Sequence, residues 1–256
     1  MSDAVVLTLR EQPKHALIAD VIAPDRFASL DATEIAALPV VHGGRAAKLG
    51  DFFKVKGARA TTLRIEGDLA NVEGIGTGMA GGEIFVAGSA GRDLGVQMAG
   101  GRIDVSGDAG DNTGGARPGA SRGMTGGEIV IRGNAGDELG ARMRRGLIVV
   151  TGDAGRGTGR GVIAGTVVVF GKAGPGAGRF LKRGSIVALG AIERPATFRY
   201  VCTYLPSYVP VLLRYLRARY DLAIPDGPIT GRYQRYAGDM AELGRGEILQ
   251  WVRGEA

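Results

Sequence analysis

The 256-residue sequence contains one cysteine, Cys202, and two histidines, His15 and His42. A single cysteine rules out an intrachain disulfide framework and any CxxC metal site. Two histidines are too few for an internal zinc site, which normally takes several His or Cys ligands. There is no apolar run of about 18 residues and no basic N-terminal region followed by an apolar core, so neither a membrane span nor a secretory leader is expected. A soluble cytoplasmic setting is. Aromatic residues are 6% of the chain, and residues 141–183 offer only Phe170 and Phe180. Nucleic-acid surfaces interleave stacking rings with their cations, so that partner is not expected. No Ser-His-Asp, Cys-His or paired-carboxylate constellation is present, and no catalytic residue is assigned.

Glycine is abundant, at 45 residues, and it is ordered. The pattern Gly-x-Ile-x-Val-x-Gly appears as Gly82-Glu-Ile-Phe-Val-Ala-Gly88, Gly101-Arg-Ile-Asp-Val-Ser-Gly107, Gly127-Glu-Ile-Val-Ile-Arg-Gly133 and Gly146-Leu-Ile-Val-Val-Thr-Gly152. Variants end at Gly67, Gly171 and Gly190. The closing glycines are separated by 21, 19, 26, 19, 19 and 19 residues. Two residues on stands an alanine (Ala90, Ala109, Ala135, Ala154, Ala173). Nine residues before stands a large apolar side chain: Met79, Met98, Met124, Met143, Val162 and Leu181. Ile-x-Val has the period of a short strand, and one such unit cannot bury its apolar face alone. Stacked units can. The expected fold is therefore all-β: a right-handed parallel β-helix of about seven 19-residue turns, with a small N-terminal cap and a C-terminal extension containing a helix. A β-sandwich with glycine-rich turns would suit the strand spacing but gives no reason for a constant register.

Residues 1–56 read as a cap or docking segment, 57–190 as the repeat, and 191–256 as an extension packed on it. Asp31-Ala-Thr-Glu34 has the form of a capping box before a short helix at 35–38. Val40, Val41, Leu49, Phe52, Phe53 and Val55 are suited to covering the open end of the stack. Residues 207–220 read as a helix whose Val209, Leu212, Leu213, Leu216 and Tyr220 form an apolar stripe for the side of the stack. The run 247–252 reads as a strand.

Net charge is +6, unevenly spread. Residues 57–140 hold 7 basic and 11 acidic residues, whereas 141–183 hold nine basic ones and a single acid, Asp153. In a 19-residue register Arg144 aligns with Lys182, Arg145 with Arg183, and Arg160 with Arg179, while Arg142 lies in the same turn region. Like charges held together call for an anion between them. Arginine favours carboxylate or phosphate through paired donors. The candidate anion-binding residues are Arg142, Arg144, Arg145, Arg160, Arg179, Lys182 and Arg183. Arg117 and Arg122 join them from the seven-residue insertion within 108–124, since solenoid insertions often mark the working face. The loops at 74–78 and 155–161 imitate nucleotide loops but fall on the repeat's own turns. Gly171-Lys172-Ala173 lacks the Ser or Thr of a phosphate loop. Asp108 and Asp153 occupy equivalent turn positions, where side-chain acceptors hold turns.

The pattern Gly-Gly-x-Ile-x-Val-x-Gly-x-Ala-Gly-x-x-x-Gly-x-x-Met, over residues 60–190, resembles a known β-helix family. It comprises the C subunit of formylmethanofuran dehydrogenase, the C subunit of the bacterial formyltransferase/hydrolase complex, and the C-terminal domain of glutamate synthase large chains. Phe198-Arg-Tyr-Val-Cys-Thr-Tyr-Leu-Pro206, Arg235-Tyr-Ala-Gly-Asp239 and Gly244-Arg-Gly-Glu-Ile-Leu249 resemble the stand-alone C subunits, as does the chain length. A bias of 26 Arg against 6 Lys tilts toward the formyltransferase/hydrolase version, a bias common in methylotrophic bacteria. The resemblance implies a scaffold whose sister subunits do the chemistry, with metals bound there and no cofactor held by this chain alone. One of them passes a formyl group between tetrahydromethanopterin and a methanofuran-type carrier; another hydrolyses it to formate. The carrier's glutamate-rich tail is the polyanion expected on the basic residues. Membrane partners are not expected. The alternatives are the C subunit of a tungsten or molybdenum formylmethanofuran dehydrogenase, and a purely structural interaction solenoid. A polysaccharide-processing β-helix would need grouped acids where Asp153 stands alone.

Overall fold

The computed structural model describes residues 4–254. The N-terminal segment contributes β1 (Val5–Leu9), β2 (Leu17–Ile18), α1 (Pro24–Phe27), α2 (Ala32–Ala36), β3 (Pro39–His42), β4 (Arg45–Lys48), α3 (Leu49–Phe52) and β5 (Phe53–Lys56). The repeat contributes β6 (Thr62–Glu66), β7 (Val72–Glu73), β8 (Glu83–Val86), β9 (Arg102–Val105), β10 (Glu128–Ile131), β11 (Leu147–Val150), β12 (Thr166–Val169) and β13 (Ser185–Ala188). Then come β14 (Arg199–Tyr204), α4 (Tyr208–Tyr220), α5 (Asp226–Thr230), β15 (Tyr233–Gly238) and β16 (Gly246–Trp251). The chain is all-β with a few short helices around a large sheet. That sheet has twelve strands in the order β14-β15-β16-β13-β12-β11-β10-β9-β8-β6-β1-β5.

From β6 to β13 every neighbouring pair is parallel and in one register. Ile103 pairs with Ile129, Ile129 with Ile148, Ile148 with Val167 and Val167 with Ile186. A second ladder of parallel bridges runs Leu69, Ala90, Ala109, Ala135, Ala154, Ala173, Ile192. The residues nine before each closing glycine, from Met79 to Leu181, are fully buried in one core with the inward residues of both ladders. The insertion bulges without disturbing either ladder, so the 26-residue turn keeps the register of its 19-residue neighbours.

The flanking segments extend the same sheet. β1 pairs in parallel with β6, and β16 pairs in parallel with β13. β5 and β15 then turn antiparallel at the two ends. The capping box at Asp31 and Glu34 is present and opens its helix at Ala32, three residues before the expected start. Val40, Leu49 and Phe53 enter the core, while Val41 stays exposed. On the outer face of the sheet Val130, Val149, Val168 and Val187 form a stripe that α4 covers with Val209, Leu213, Leu216 and Tyr220.

Side-chain oxygens lock successive turns together. The backbone N–H groups of Asn134, Asp153 and Lys172 donate to Oδ1 of Asp108, Asn134 and Asp153 at 2.6, 2.8 and 2.7 Å. Asp108 and Asp153 are turn residues, as their positions in the repeat led us to expect, and Asn134 joins them. The closing glycine of the next turn passes directly beneath each oxygen. A Cβ on Gly133, Gly152 or Gly171 would stand 2.2, 2.4 or 2.2 Å from the same Oδ1 atoms. No side chain fits there, which accounts for a glycine at each of these positions.

Asp153→Ala removes the acceptor for Lys172 and is expected to cost about 0.5–1.5 kcal/mol of stability in chemical denaturation. Asp153→Asn keeps an acceptor, as Asn134 does one turn earlier, and should stay near wild type. Equal stability of Asp153→Ala and wild type would contradict the lock.

Candidate anion-binding face

The ladder hydrogen bonds place the candidate cations. The amides of Arg144, Ile163 and Lys182 donate to the carbonyls of Met124, Met143 and Val162, each at or near 2.8 Å. Arg144, Ile163 and Lys182 therefore stand in one file, and Arg145, Ala164 and Arg183 in the next. Arg144 and Lys182 are two turns apart, about 10 Å at ordinary strand spacing. Beside them runs a corner file: the Arg142 amide donates to the Arg160 carbonyl and the Gly161 amide to the Arg179 carbonyl, both at 2.8 Å. The expected alignments of Arg144 with Lys182, Arg145 with Arg183 and Arg160 with Arg179 are those of the structure.

Side-chain partners divide this set. Arg160 forms an ion pair with Glu138 at 3.1 Å, and Arg117 of the insertion pairs with Asp20. Arg142 donates from Nη1 to the Ala120 carbonyl at 2.8 Å and so fastens the insertion to the corner. Arg179 lies over the Phe180 ring, 4.8 Å from its centroid. Arg144, Arg145, Arg183 and Arg122 are exposed and Lys182 is half-buried. Among the described residues these five form no ion pair. Arg122 stands apart on the insertion.

The insertion roofs a cavity of about 350 Å³ that gathers Arg117, Arg142 and Arg160 with Arg92. Asp93, Asp111, Asp137 and Glu138 line it too, so it is close to neutral. Arg144, Arg145, Lys182 and Arg183 lie outside it, on the neighbouring side of the stack. The basic face is thus two surfaces: a balanced pocket at the corner and a strip of unbalanced cations beside it.

At its far end the strip meets the extension. Asp239 is buried, and its carboxylate accepts from the amides of Phe180 and Ala241, each at 2.9 Å. Burial alone would raise its pKa. The nearby Thr197 hydroxyl, the two amides and the Arg179 guanidinium outweigh that and hold it below the ordinary aspartate value.

One polar network was not legible in the repeat pattern. The outward column Arg64, Phe85, Asp104 continues the valine stripe beyond the cover of α4. Asp104 is buried between Arg102 at 2.8 Å and Arg132 at 3.0 Å, and Arg132 also donates to the Tyr220 carbonyl at the end of α4. Tyr215 and Tyr220 both donate to Glu128. The signal was an aspartate at the strand position that valine holds in the four following turns. These groups seat the helix on the sheet. His15 and His42, distant in sequence, stand with ring centroids 5.8 Å apart. The described residues contain no group of three or more His, Cys, Asp or Glu placed to hold a metal ion, and no helix among them is long and apolar enough to cross a membrane.

No protein-family model matches the chain. It is similar to the C subunit of the tungsten-containing formylmethanofuran dehydrogenase 2 of Methanothermobacter thermautotrophicus, 40% identical over 96 residues, which is 36% of each protein. It is similar also to the C subunit of the molybdenum-containing formylmethanofuran dehydrogenase 1 of Methanosarcina barkeri, 40% identical over 92 residues, 34% of this chain and 31% of that protein. The matched segment spans about a third of the length of these curated relatives. Likeness over nearly the whole chain comes from a crystal structure of the formyltransferase/hydrolase complex of Methylorubrum extorquens with methylofuran. One of its chains superposes with a TM-score of 0.81 at 35% identity, over 97% of this chain and 100% of that one.

Because the folded-state pKa of Asp239 lies below its ordinary value of 3.8, its carboxylate stabilises the fold above that pH. The contribution is lost as pH falls through the depressed folded value. Asp239→Asn should lower stability at neutral pH by about 1–3 kcal/mol and flatten the acid limb of the stability profile. Parallel pH profiles for the two proteins would contradict this.

Proposed function

The chain belongs to the C-subunit family of formylmethanofuran dehydrogenase and the formyltransferase/hydrolase complex, and from that premise we propose that it is a non-catalytic subunit of a formyltransferase/hydrolase complex of one-carbon metabolism. Its repeat winds as a right-handed parallel β-helix of about seven 19-residue turns. The two parallel ladders that advance together, strand by strand and alanine by alanine, support this reading. Residues 1–56 serve as cap or docking segment and 191–256 as the extension packed on the helix. The sister subunits hold the metals and pass the formyl group from tetrahydromethanopterin to formate through a methanofuran-type carrier. This chain arranges them and holds the anionic tail of the carrier.

The observation that carries the tail-binding role is the strip of Arg144, Arg145, Lys182 and Arg183, cations in register that form no ion pair among the described residues. The one acid in the surrounding stretch, Asp153, is engaged with the Lys172 amide. A chain of carboxylates laid across successive turns would meet one or two cations on every second turn. Arg142 and Arg179 border the strip and extend it toward the corner. Arg160 and Arg117 keep the corner and the insertion in place through Glu138 and Asp20, a positioning role. A second reading, the C subunit of a tungsten or molybdenum formylmethanofuran dehydrogenase, draws on the names of the relatives matched over a third of their length. The likeness over 97% of the chain favours the first.

Replacing Arg144, Arg145, Lys182 and Arg183 by glutamate should weaken retention of a methylofuran-type carrier by the assembled complex. At about 0.2–1 kcal/mol per cation the summed loss is at least about fourfold, and it should shrink as salt is raised. Carrier retention equal to wild type at low salt would reject the strip as the tail site.

A further inference from the structure

Helix α4 carries two apolar stripes, and the sheet uses only one. Val209, Leu213, Leu216 and Tyr220 are buried on the outer valines. Tyr208, Val211 and Tyr215 follow at intervals of three and four residues and so share a second face, about a third of the circumference away. All three are exposed. Leu205, between β14 and α4, is exposed as well, and β14 is the end strand of the sheet, paired on one side only. Leu205 and Val211 are each 65% exposed. Single exposed apolar residues are ordinary, but a helix stripe that follows an open edge strand in the chain marks an interaction surface.

The surroundings of the stripe decide what covers it. The Tyr215 hydroxyl donates to Glu128 at 3.0 Å and the Tyr208 hydroxyl to Glu247 at 3.2 Å. Both carboxylates belong to one column of the sheet, which also holds Leu147 and Ser185. That column begins three residues after Arg144 and Lys182 in their respective turns, so the stripe lies along the border of the basic strip. On the other flank Arg214 is exposed and forms no ion pair among the described residues. Of the two acids on this border, Glu247 is paired with Arg235 at 2.9 Å and Glu128 accepts from two tyrosines. The cations of the strip and Arg214 outnumber the one carboxylate left without an ion pair among the described residues, so the rim is net positive.

We propose that this surface docks another subunit of the complex through an apolar face rimmed by carboxylates, rather than a second copy of this chain. Two-fold pairing of identical faces would bring Arg214 and the basic strip against cations of the same kind. The proposal rests on the reading of the chain as part of a hetero-oligomeric complex and adds where a neighbour sits. The docked subunit lies along the strip and forms the second wall of the carrier's path.

Leu205→Glu combined with Val211→Glu, in the full chain, tests this by reconstitution with the purified sister subunits. Both side chains are exposed, so the melting temperature should not change. Association should fall at least about tenfold. Arg214→Glu should weaken it by a smaller factor that shrinks with salt. A double variant that assembles like wild type overturns the docking face and leaves the carrier reading standing. A dimer of the isolated chain in sedimentation, lost in the double variant, overturns the choice of partner. A wild-type chain that joins no sister subunit overturns both.

Discussion

Three successive turns in the middle of the stack are each held to the one before by a side-chain oxygen that accepts a backbone amide, with a glycine passing beneath that oxygen. Asp108, Asn134 and Asp153 make this contact in succession, over Gly133, Gly152 and Gly171. The contact fixes both the spacing of the turns and their rotation, because a residue with a Cβ cannot occupy the close approach. Once the corner is fixed, the Ile-x-Val strands meet in register and the alanines bridge. The methionines then fill the space between the two ladders. The insertion shows how local this constraint is: seven extra residues leave from one corner and the ladder resumes unchanged on the next turn.

The same register makes the outside of the molecule chemically coherent. Side chains at equal positions in successive turns have no choice but to be neighbours. On the outer sheet face this gives a valine stripe for α4. One side further round, it gives Arg144 and Arg145 aligned with Lys182 and Arg183. Where an acid is available the structure uses it, as at Glu138, Asp20 and Asp104. Where none is available, charge is left for a ligand or a partner. The chain supplies position and charge, and the proposed chemistry belongs to its neighbours.

The repeat, the buried methionines, the helix at 208–220 and the alignment of cations were all legible in the sequence, because a fixed period converts spacing along the chain into adjacency in space. Side-chain pairings at the corners, and contacts between the repeat and its flanks, were not. The pairing of Arg160 with Glu138, 22 residues earlier, and of Arg117 with Asp20 depends on which way long side chains turn at a corner. The parallel pairing of β16 with β13 required the extension to fold back after α4, β14 and β15, and nothing periodic announces it. The buried Asp104 broke the valine pattern, but its meaning depended on two arginines in other columns and on the end of α4.

The most direct test of a basic strip that holds an anionic carrier is a cryo-electron microscopy map of the assembled complex purified with its carrier. The account predicts continuous density for the carrier tail within hydrogen-bonding distance of Arg144, Arg145, Lys182 and Arg183. A strip covered by the carboxylates of a neighbouring subunit, with the carrier tail running elsewhere, would contradict it.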